Sequence, residues 1–412
     1  MTDPIRVLHF ADVHIGMENF GKTDEETGLS SRVLDFLHRM DEMTAYVRQH
    51  GVDLVVFAGD AFKTSTPNPT YQRGFAHRIK DLAELAPVVM LVGNHDLQPN
   101  KNKASSIEIY DTLDVPNVRV LDDFSVTDIN TARGRVVVGS APYPVRSRLM
   151  EKMDLHGKTI KQVDDYLQET LVHILDELAG EADRLAGADV PRLLTGHFTV
   201  AGALLGSERS VMLGRDVQMP IGVLADSRWD YVAMGHIHKH QNLTQDREGV
   251  PPIVYSGSIE RVDFGEEGDA KGFCYVQLGR ENTAWQFVEV NTRPMVTIYA
   301  DCRQDRTPTQ TVLRLIKNYH LREAIVRVRV ELTPETEALF KDEMVRDELR
   351  RAGVYHIAAI EHRLERPERS RLGVSPEGLS NEQLLEQYLK SKQVDAPRRE
   401  TLLELARELM GE

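Results

Sequence analysis

An apolar run, "VVMLV", and one glycine lead into Asn94, His95 and Asp96 in the stretch 88–96. An amide oxygen, an imidazole and a carboxylate at one strand tip are the donor types that hold divalent cations and move protons. A simple turn would also explain them, since Gly93, Asn94 and Asp96 all favour turns. The same kind of ending recurs, however, at Asp12-Val13-His14, Gly59-Asp60, Thr195-Gly196-His197 and Gly235-His236-Ile237-His238. Asp12 and His14 stand at i and i+2, so they point to one side of an extended chain, and His236 and His238 do the same. Carboxylate, amide oxygen and imidazole suit manganese, iron, zinc or magnesium. No thiolate joins them, because Cys274 and Cys302 lie far apart without a metal-ligand spacing. One shared Asp can bridge two cations about 3.5–4 Å apart, the separation used to hydrolyse phosphate esters.

The elements that must position these groups alternate in type. Apolar runs at 5–12, 53–60 and 88–96 read as strands, and amphipathic segments at 30–51 and 71–85 read as helices. That order is βαβαβ, which predicts parallel strands joined by right-handed crossovers in an α/β sheet. Ligands of such sheets sit outside the carboxyl ends of the strands, so all five endings are expected on one edge. A long charged helix follows at 159–186, then strands at 192–197, 230–236, 251–258, 272–278 and 283–290. The last of these lie close together without intervening helices, which predicts a hairpin-type antiparallel run.

After residue 292 a compact β-α-β-α-β pattern begins, with helices near 308–318 and 334–350. Residues 366–380, rich in Pro, Gly, Ser and Arg, read as a linker. The domain boundaries expected are therefore 1–292, 293–365, the linker 366–380 and a helical tail over 381–412. In the tail, Leu384, Leu385, Tyr388 and Leu389 form one apolar stripe. Leu402, Leu403, Leu405, Ala406 and Leu409 form another. So short a segment cannot bury two stripes alone, so it docks either on its own chain or in a partner's helix groove.

The chain has 412 residues, 41% hydrophobic and 28% charged, the proportions of a globular protein. No stretch approaches the roughly 18 consecutive apolar residues of a membrane span, and "MTDPIRVLHF" lacks the basic and apolar regions of a signal peptide. A cytoplasmic protein without a membrane partner is expected. A net charge of −14 argues against a general polyanion-binding surface. A local basic patch, bound cations or a partner would be needed to hold nucleic acid.

The series D-x-H, G-D, G-N-H-D, G-H and G-H-x-H resembles that of the calcineurin-like metallophosphoesterase superfamily. The resemblance implies a four-layer α/β/β/α fold with two metal ions above two facing sheets. Carried over by position, it implies Asp12, His14, Asp60 and His238 at the first metal. Asp60 as bridge, Asn94, His197 and His236 would hold the second. His95 would serve as general acid near the leaving oxygen, and Asp96 would orient it. Within the superfamily, "GMENFG" (16–21) and "YSGSIERVDFGEEGDAKGF" (255–273) resemble the SbcD-type DNA exonucleases, the nuclease subunit of the double-strand-break repair complex.

That narrower resemblance implies a small α/β capping domain, and a C-terminal helical pair that grips a coiled-coil ATPase of the SMC type. It also implies a homodimer, for which the apolar residues of 30–50 and 71–113 are the candidates. The expected activity is a two-metal, manganese-dependent nuclease in a nucleoid-associated cytoplasmic setting. It would act as a 3′–5′ exonuclease on duplex ends and an endonuclease on single strands or hairpins. The alternative is a metal-dependent phosphodiesterase or phosphatase acting on a small nucleotide. One departure stands out: members of the family often carry a histidine three residues after the Gly-Asp aspartate, and here Lys63 takes that place. Phe20, Lys22, Lys63 and Arg261 are the DNA contacts expected, although Arg261 would equally serve as a structural residue of its own loop.

Overall fold

The computed structural model describes residues 3–98, 103–150, 159–206, 217–280, 282–365, 381–392 and 394–410. The linker expected at 366–380 lies outside them. By compactness the chain forms two units. The first comprises Met1–Thr297, Leu321–Arg327 and Gly353–Ala358. The second comprises Ile298–His320, Val328–Ala352 and Ala359–Glu412.

The first unit contains two six-stranded sheets. In sheet one the order is β12 (Ala284–Glu289), β11 (Gly272–Leu278), β1 (Ile5–Phe10), β2 (Leu54–Phe57), β3 (Val88–Leu91) and β4 (Val118–Leu121). Strands β1 to β4 are parallel, and β11 runs antiparallel to β1. In sheet two the order is β5 (Ser125–Thr131), β6 (Gly134–Ala141), β7 (Arg192–His197), β8 (Tyr231–Gly235), β10 (Ile253–Tyr255) and β9 (Gln241–Asn242). Here β6, β7, β8 and β10 are parallel.

The two-residue period of the strands sorts their side chains into three cores. Leu8, Phe10, Val55, Phe57, Val88 and Met90 pack with Val33, Phe36, Met40 and Met43 of the helix Ser31–His50 and with Phe75, Ile79 and Leu82 of the helix Pro69–Ala83. Their alternates Val7, Leu54, Val56, Val89 and Leu91 meet Val136, Val138, Leu193, Tyr231, Ala233 and Val254 of sheet two. On the far side of sheet two, Val137, Leu194, Val232, Met234, Ile253 and Tyr255 pack on Leu167, Leu171, Leu175 and Leu178 of the helix Ile160–Ala186.

The helices begin and end where local chemistry dictates. Ser30 and Asn68 each accept from a backbone N–H of the first turn, and Thr159 and Gln162 form a reciprocal capping box. Gly51, at φ 81°, ends the first helix with its N–H on the Val47 carbonyl.

The ligand-bearing strands belong to two sheets, three to the first and two to the second, as the family resemblance implies and unlike the single sheet edge that the strand alternation suggests. The close-spaced strands are only partly hairpins: β11–β12 and β9–β10 are antiparallel, but β8 and β10 are parallel. The segment 236–252 between them is long enough for a parallel crossover without a helix. The hairpin β5–β6, with its turn at Ala132 and Arg133, was not anticipated. The apolar stripe of Ser31–His50 is core, while Leu85, Ile109 and Leu113 stay exposed in 71–113.

The small pattern after residue 292 yields a three-stranded sheet of β13 (Met295–Asp301), β14 (Ile325–Leu332) and β15 (His356–Leu364). The helix expected at 334–350 is broken into Pro334–Glu337 and Asp342–Arg351, with Phe340 buried between them. The tail forms the helices Asn381–Ser391 and Ala396–Met410. An ion pair of Arg407 with Glu382 joins them, and Leu389 is buried. Among the described residues no helix is long and apolar enough to cross a membrane.

Candidate metal centre

The ligand candidates lie at or just beyond strand ends, and four of them sit where the backbone bends sharply. Asp12, His14, Asp60 and His236 have φ of 51°, 46°, 62° and 91°, the left-handed region that L side chains adopt at a cost of about 1–2 kcal/mol each. Hydrogen bonds between neighbouring strand ends hold these bends. Asp12 N–H donates to the Gly59 carbonyl at 3.0 Å, and His14 N–H to the Asp60 carbonyl at 3.1 Å. His236 N–H donates to both Asp12 carboxylate oxygens, at 3.1 and 3.0 Å, tying sheet two to sheet one. Strain held by surrounding contacts in this way is typical of functional sites.

The donors converge from both sheets. His14 Nε2 lies 3.0 Å from His238 Nε2, and 3.7 Å from Asp60 Oδ2. On the other side of Asp60, His197 Nε2 lies 3.4 Å from the same oxygen. Asn94 Oδ1 is 3.1 Å from His197 Nε2 and 2.9 Å from His236 Nδ1. Ligand atoms of Asp12, His14 and His238 all fall within 4.8 Å of one another, as do those of Asp12, Asp60 and His197. Two imidazoles are turned by contacts behind them. His197 Nδ1–H donates to the Ala58 carbonyl at 2.7 Å, and His238 Nδ1–H to Glu266 Oε1 at 2.8 Å. Each therefore turns Nε2 inward, the atom whose lone pair a metal would take once any proton on it is displaced.

The electrostatics demand positive charge at the centre. Burial alone would raise Asp60, but His197, His95 and His14 hold it far below the usual carboxylate range. Burial pulls His197 down, yet Asp60 and Asp12 push it up to about 9. Burial and the neighbouring His238 hold His14 well below the usual imidazole range. In the metal-free protein a proton on His197 thus supplies charge that a divalent cation would otherwise bring. The oxygen and imidazole donors fit such a cation.

A pH dependence follows. Because the folded pKa of His197 is raised above its ordinary 6.5, its contribution to stability is complete below 6.5 and is lost as pH rises through about 9. The metal-free protein is expected to lose melting temperature over that window. A saturating divalent cation, which displaces the proton, should flatten the loss. Calorimetry at pH 6.5 and 9, with chelator and with cation, tests this.

The other expected site residues divide. His95 is exposed; its Nδ1–H donates to the Lys63 carbonyl and its backbone N–H to Asp60 Oδ1, both at 2.8 Å. Asp96 does not orient it. The Asp96 carboxylate accepts from the N–H groups of Asp60 (3.0 Å), Ala61 (3.1 Å) and Gly93 (3.1 Å) and from the Ser106 hydroxyl (2.9 Å). It clamps two strand ends together, because a buried carboxylate takes the strongest donors within reach.

Arg261 takes the structural role that was the alternative to a DNA contact. Its guanidinium donates to Thr292 Oγ1, Arg293 O and Asp269 O, so it braces its own loop. Phe20 packs edge-on against Phe264, and Lys22 lies over the Tyr355 ring. Lys63 keeps its side chain exposed. In the tail Tyr388, Leu402 and Leu405 are exposed and Leu384 and Leu385 half-buried; the Leu409 side chain lies outside the described residues. Glu266 was missed by sequence reasoning, because "GEEGDAK" offers several acids and no pattern that singles one out.

Residues 5–240 match the sequence pattern of the family Calcineurin-like phosphoesterase. The SbcD subunit of nuclease SbcCD from Bacillus subtilis (strain 168) is 26% identical over 301 residues, covering 71% of this chain and 71% of that protein. Among solved structures, a dimetal phosphatase from Danio rerio has 13% identity and a TM-score of 0.39, covering 69% of this chain and 99% of its own. A purple acid phosphatase from yellow lupin (Lupinus luteus) seeds has 12% identity and a TM-score of 0.39, covering 70% of this chain and 53% of its own.

Proposed function

Since this chain belongs to the calcineurin-like phosphoesterase family, a family of metal-dependent enzymes, we propose that it is a manganese-dependent DNA nuclease. The observation that carries the choice of substrate is the likeness to a nuclease subunit over 301 residues, a longer stretch than the 5–240 of the family match. When bound, two divalent cations neutralise the phosphate oxygens and make a water nucleophilic near neutral pH. The chain supplies the rest. Asp12, His14, Asp60 and His238 would hold one cation, and Asp60, Asn94, His197 and His236 would hold the other.

His95, exposed beside His14 with ring centroids 4.9 Å apart, faces the substrate side. With Nδ1–H committed to the Lys63 carbonyl, its Nε2 is the atom that carries a proton to the departing oxygen. Exonuclease action from 3′ to 5′ on duplex ends and endonuclease action on single strands or hairpins are part of this proposal. So are the capping role of 293–365, a homodimer involving Ile109 and Leu113, and docking of a coiled-coil ATPase on the tail. Exposed Tyr388, Leu402 and Leu405 support the last of these. A cytoplasmic, nucleoid-associated setting goes with this activity.

End-labelled duplex DNA with manganese tests the reading. Nucleotide release is expected from wild type, and His95→Gln should lower it by about 10²–10⁴-fold while leaving manganese binding intact. Turnover of bis-p-nitrophenyl phosphate without any DNA cleavage, even with an ATPase partner present, would favour the small-nucleotide alternative. For binding, Lys63→Ala should weaken DNA affinity and reduce the salt slope by about one, the signature of one lost phosphate contact. Arg261→Ala should instead lower melting temperature, since its donors serve backbone and side-chain acceptors of its own unit. Salt-dependent binding curves separate the two.

A further inference from the structure

His238 is gripped at both ends by one buried ion pair. Its ring Nδ1–H donates to Glu266 Oε1 at 2.8 Å, and its carbonyl accepts from Lys271 Nζ at 2.9 Å. Lys271 Nζ also lies 2.8 Å from Glu266 Oε2 and donates to Ser258 Oγ at 2.9 Å. Val262 N–H donates to Glu266 Oε2 at 2.9 Å. Both charged side chains are fully buried. A buried ion pair stabilises a fold no better than an apolar pair of similar volume. What an apolar pair would not do is hold an imidazole in one tautomer.

We infer that Glu266, held by Lys271, is the positioning residue that sets the tautomer and orientation of His238, and through it the affinity of one of the two cation sites. The inference rests on the metal centre proposed above. His238 belongs to the group with Asp12 and His14, its Nε2 lying 3.0 Å from His14 Nε2. The corresponding ring of the other group, His197, is set by a backbone carbonyl, Ala58 O. One site is thus tuned by a side-chain carboxylate and the other by the main chain. An anionic partner behind a ligating imidazole makes it a better donor, and losing such a partner weakens metal affinity by about 10–100-fold.

Calorimetric titration of the metal-free full chain with manganese tests this. Wild type should show two binding events. Glu266→Gln keeps an acceptor for Nδ1–H but removes the charge, and should weaken one event by about tenfold, the lower end of that range. The charge-neutral pair Glu266→Gln with Lys271→Met, which leaves no buried ion unpaired, should do the same. In both variants hydrolysis of bis-p-nitrophenyl phosphate should need more manganese for half-activation and recover at saturation. Folded variants that bind both ions as wild type does would overturn the inference. Equal weakening of both events, with a lower melting temperature, would also overturn it and assign Glu266 a general structural role. A wild type that binds no manganese would remove the metal-centre reading itself.

Discussion

Asp60→Asn is expected to lower phosphodiester turnover on the order of a thousandfold, the scale of removing one preorganised electrostatic group from an active site. The substitution is isosteric, and Asn tolerates the left-handed backbone at φ 62° that position 60 requires. Its side-chain oxygen can still accept from the His95 N–H, which now meets Asp60 Oδ1 at 2.8 Å. What disappears is the negative charge lying 3.7 Å from His14 Nε2 and 3.4 Å from His197 Nε2. In the proposed assignment both cation sites depend on that charge, so manganese stoichiometry should fall together with rate. Stability should fall as well. Asp60 is the group that most raises His197, 3.4 Å away, so below about pH 9 the metal-free variant leaves a buried imidazolium without its partner and should melt lower than wild type. Steady-state kinetics, manganese titration and metal-free melting together check the prediction. Activity above a tenth of wild type would show that Asp60 is not the shared carboxylate.

Gly93→Ala is expected to damage both fold and site from a single methyl group. A Cβ at position 93 would stand 2.2 Å from Asp60 Oδ1 and 2.5 Å from Asp60 N. One of those atoms is backbone, so the strand ends must separate for the methyl to fit. That separation would break the clamp in which Asp96 accepts from Asp60, Ala61 and Gly93 together. Overpacking of this kind costs about 1–3 kcal/mol, read as a lower urea midpoint. Displacing Asp60 by about 1 Å should cost a further hundredfold in turnover. Urea unfolding and kinetics on one preparation check both. Unchanged stability and rate would mean that the two strand ends move apart freely.

Much of this was legible in the chain. The apolar runs and turn residues around Asp12, Asp60, Asn94, His197 and His236 announced strands with donors at their tips. The helices expected at 30–51, 71–85 and 159–186 are all present, and each begins on a side-chain cap. These features arise from terms that act over a few residues: side-chain period, turn preference and capping. The small sheet after residue 292 was legible for the same reason, although the break at Phe340 was not.

Other features depended on partners far along the chain. That His197 and His236 sit on a different sheet from Asp12, Asp60 and Asn94 follows from which apolar faces bury one another, and apolar runs look alike whichever sheet they join. The fate of Asp96, bonded to amides rather than to His95, and of Arg261, bonded to its own loop, was settled by which donors and acceptors lay nearest once the strands had packed. Glu266 is the sharpest case. Its neighbour Glu267 accepts from Thr297, while Glu266 is fully buried behind His238, 28 residues away. The sequence alone thus determined the ligand types, their strand-end spacing and the helices between them. The tertiary structure decided their partners, because burial and the satisfaction of buried polar groups are properties of the whole packed chain.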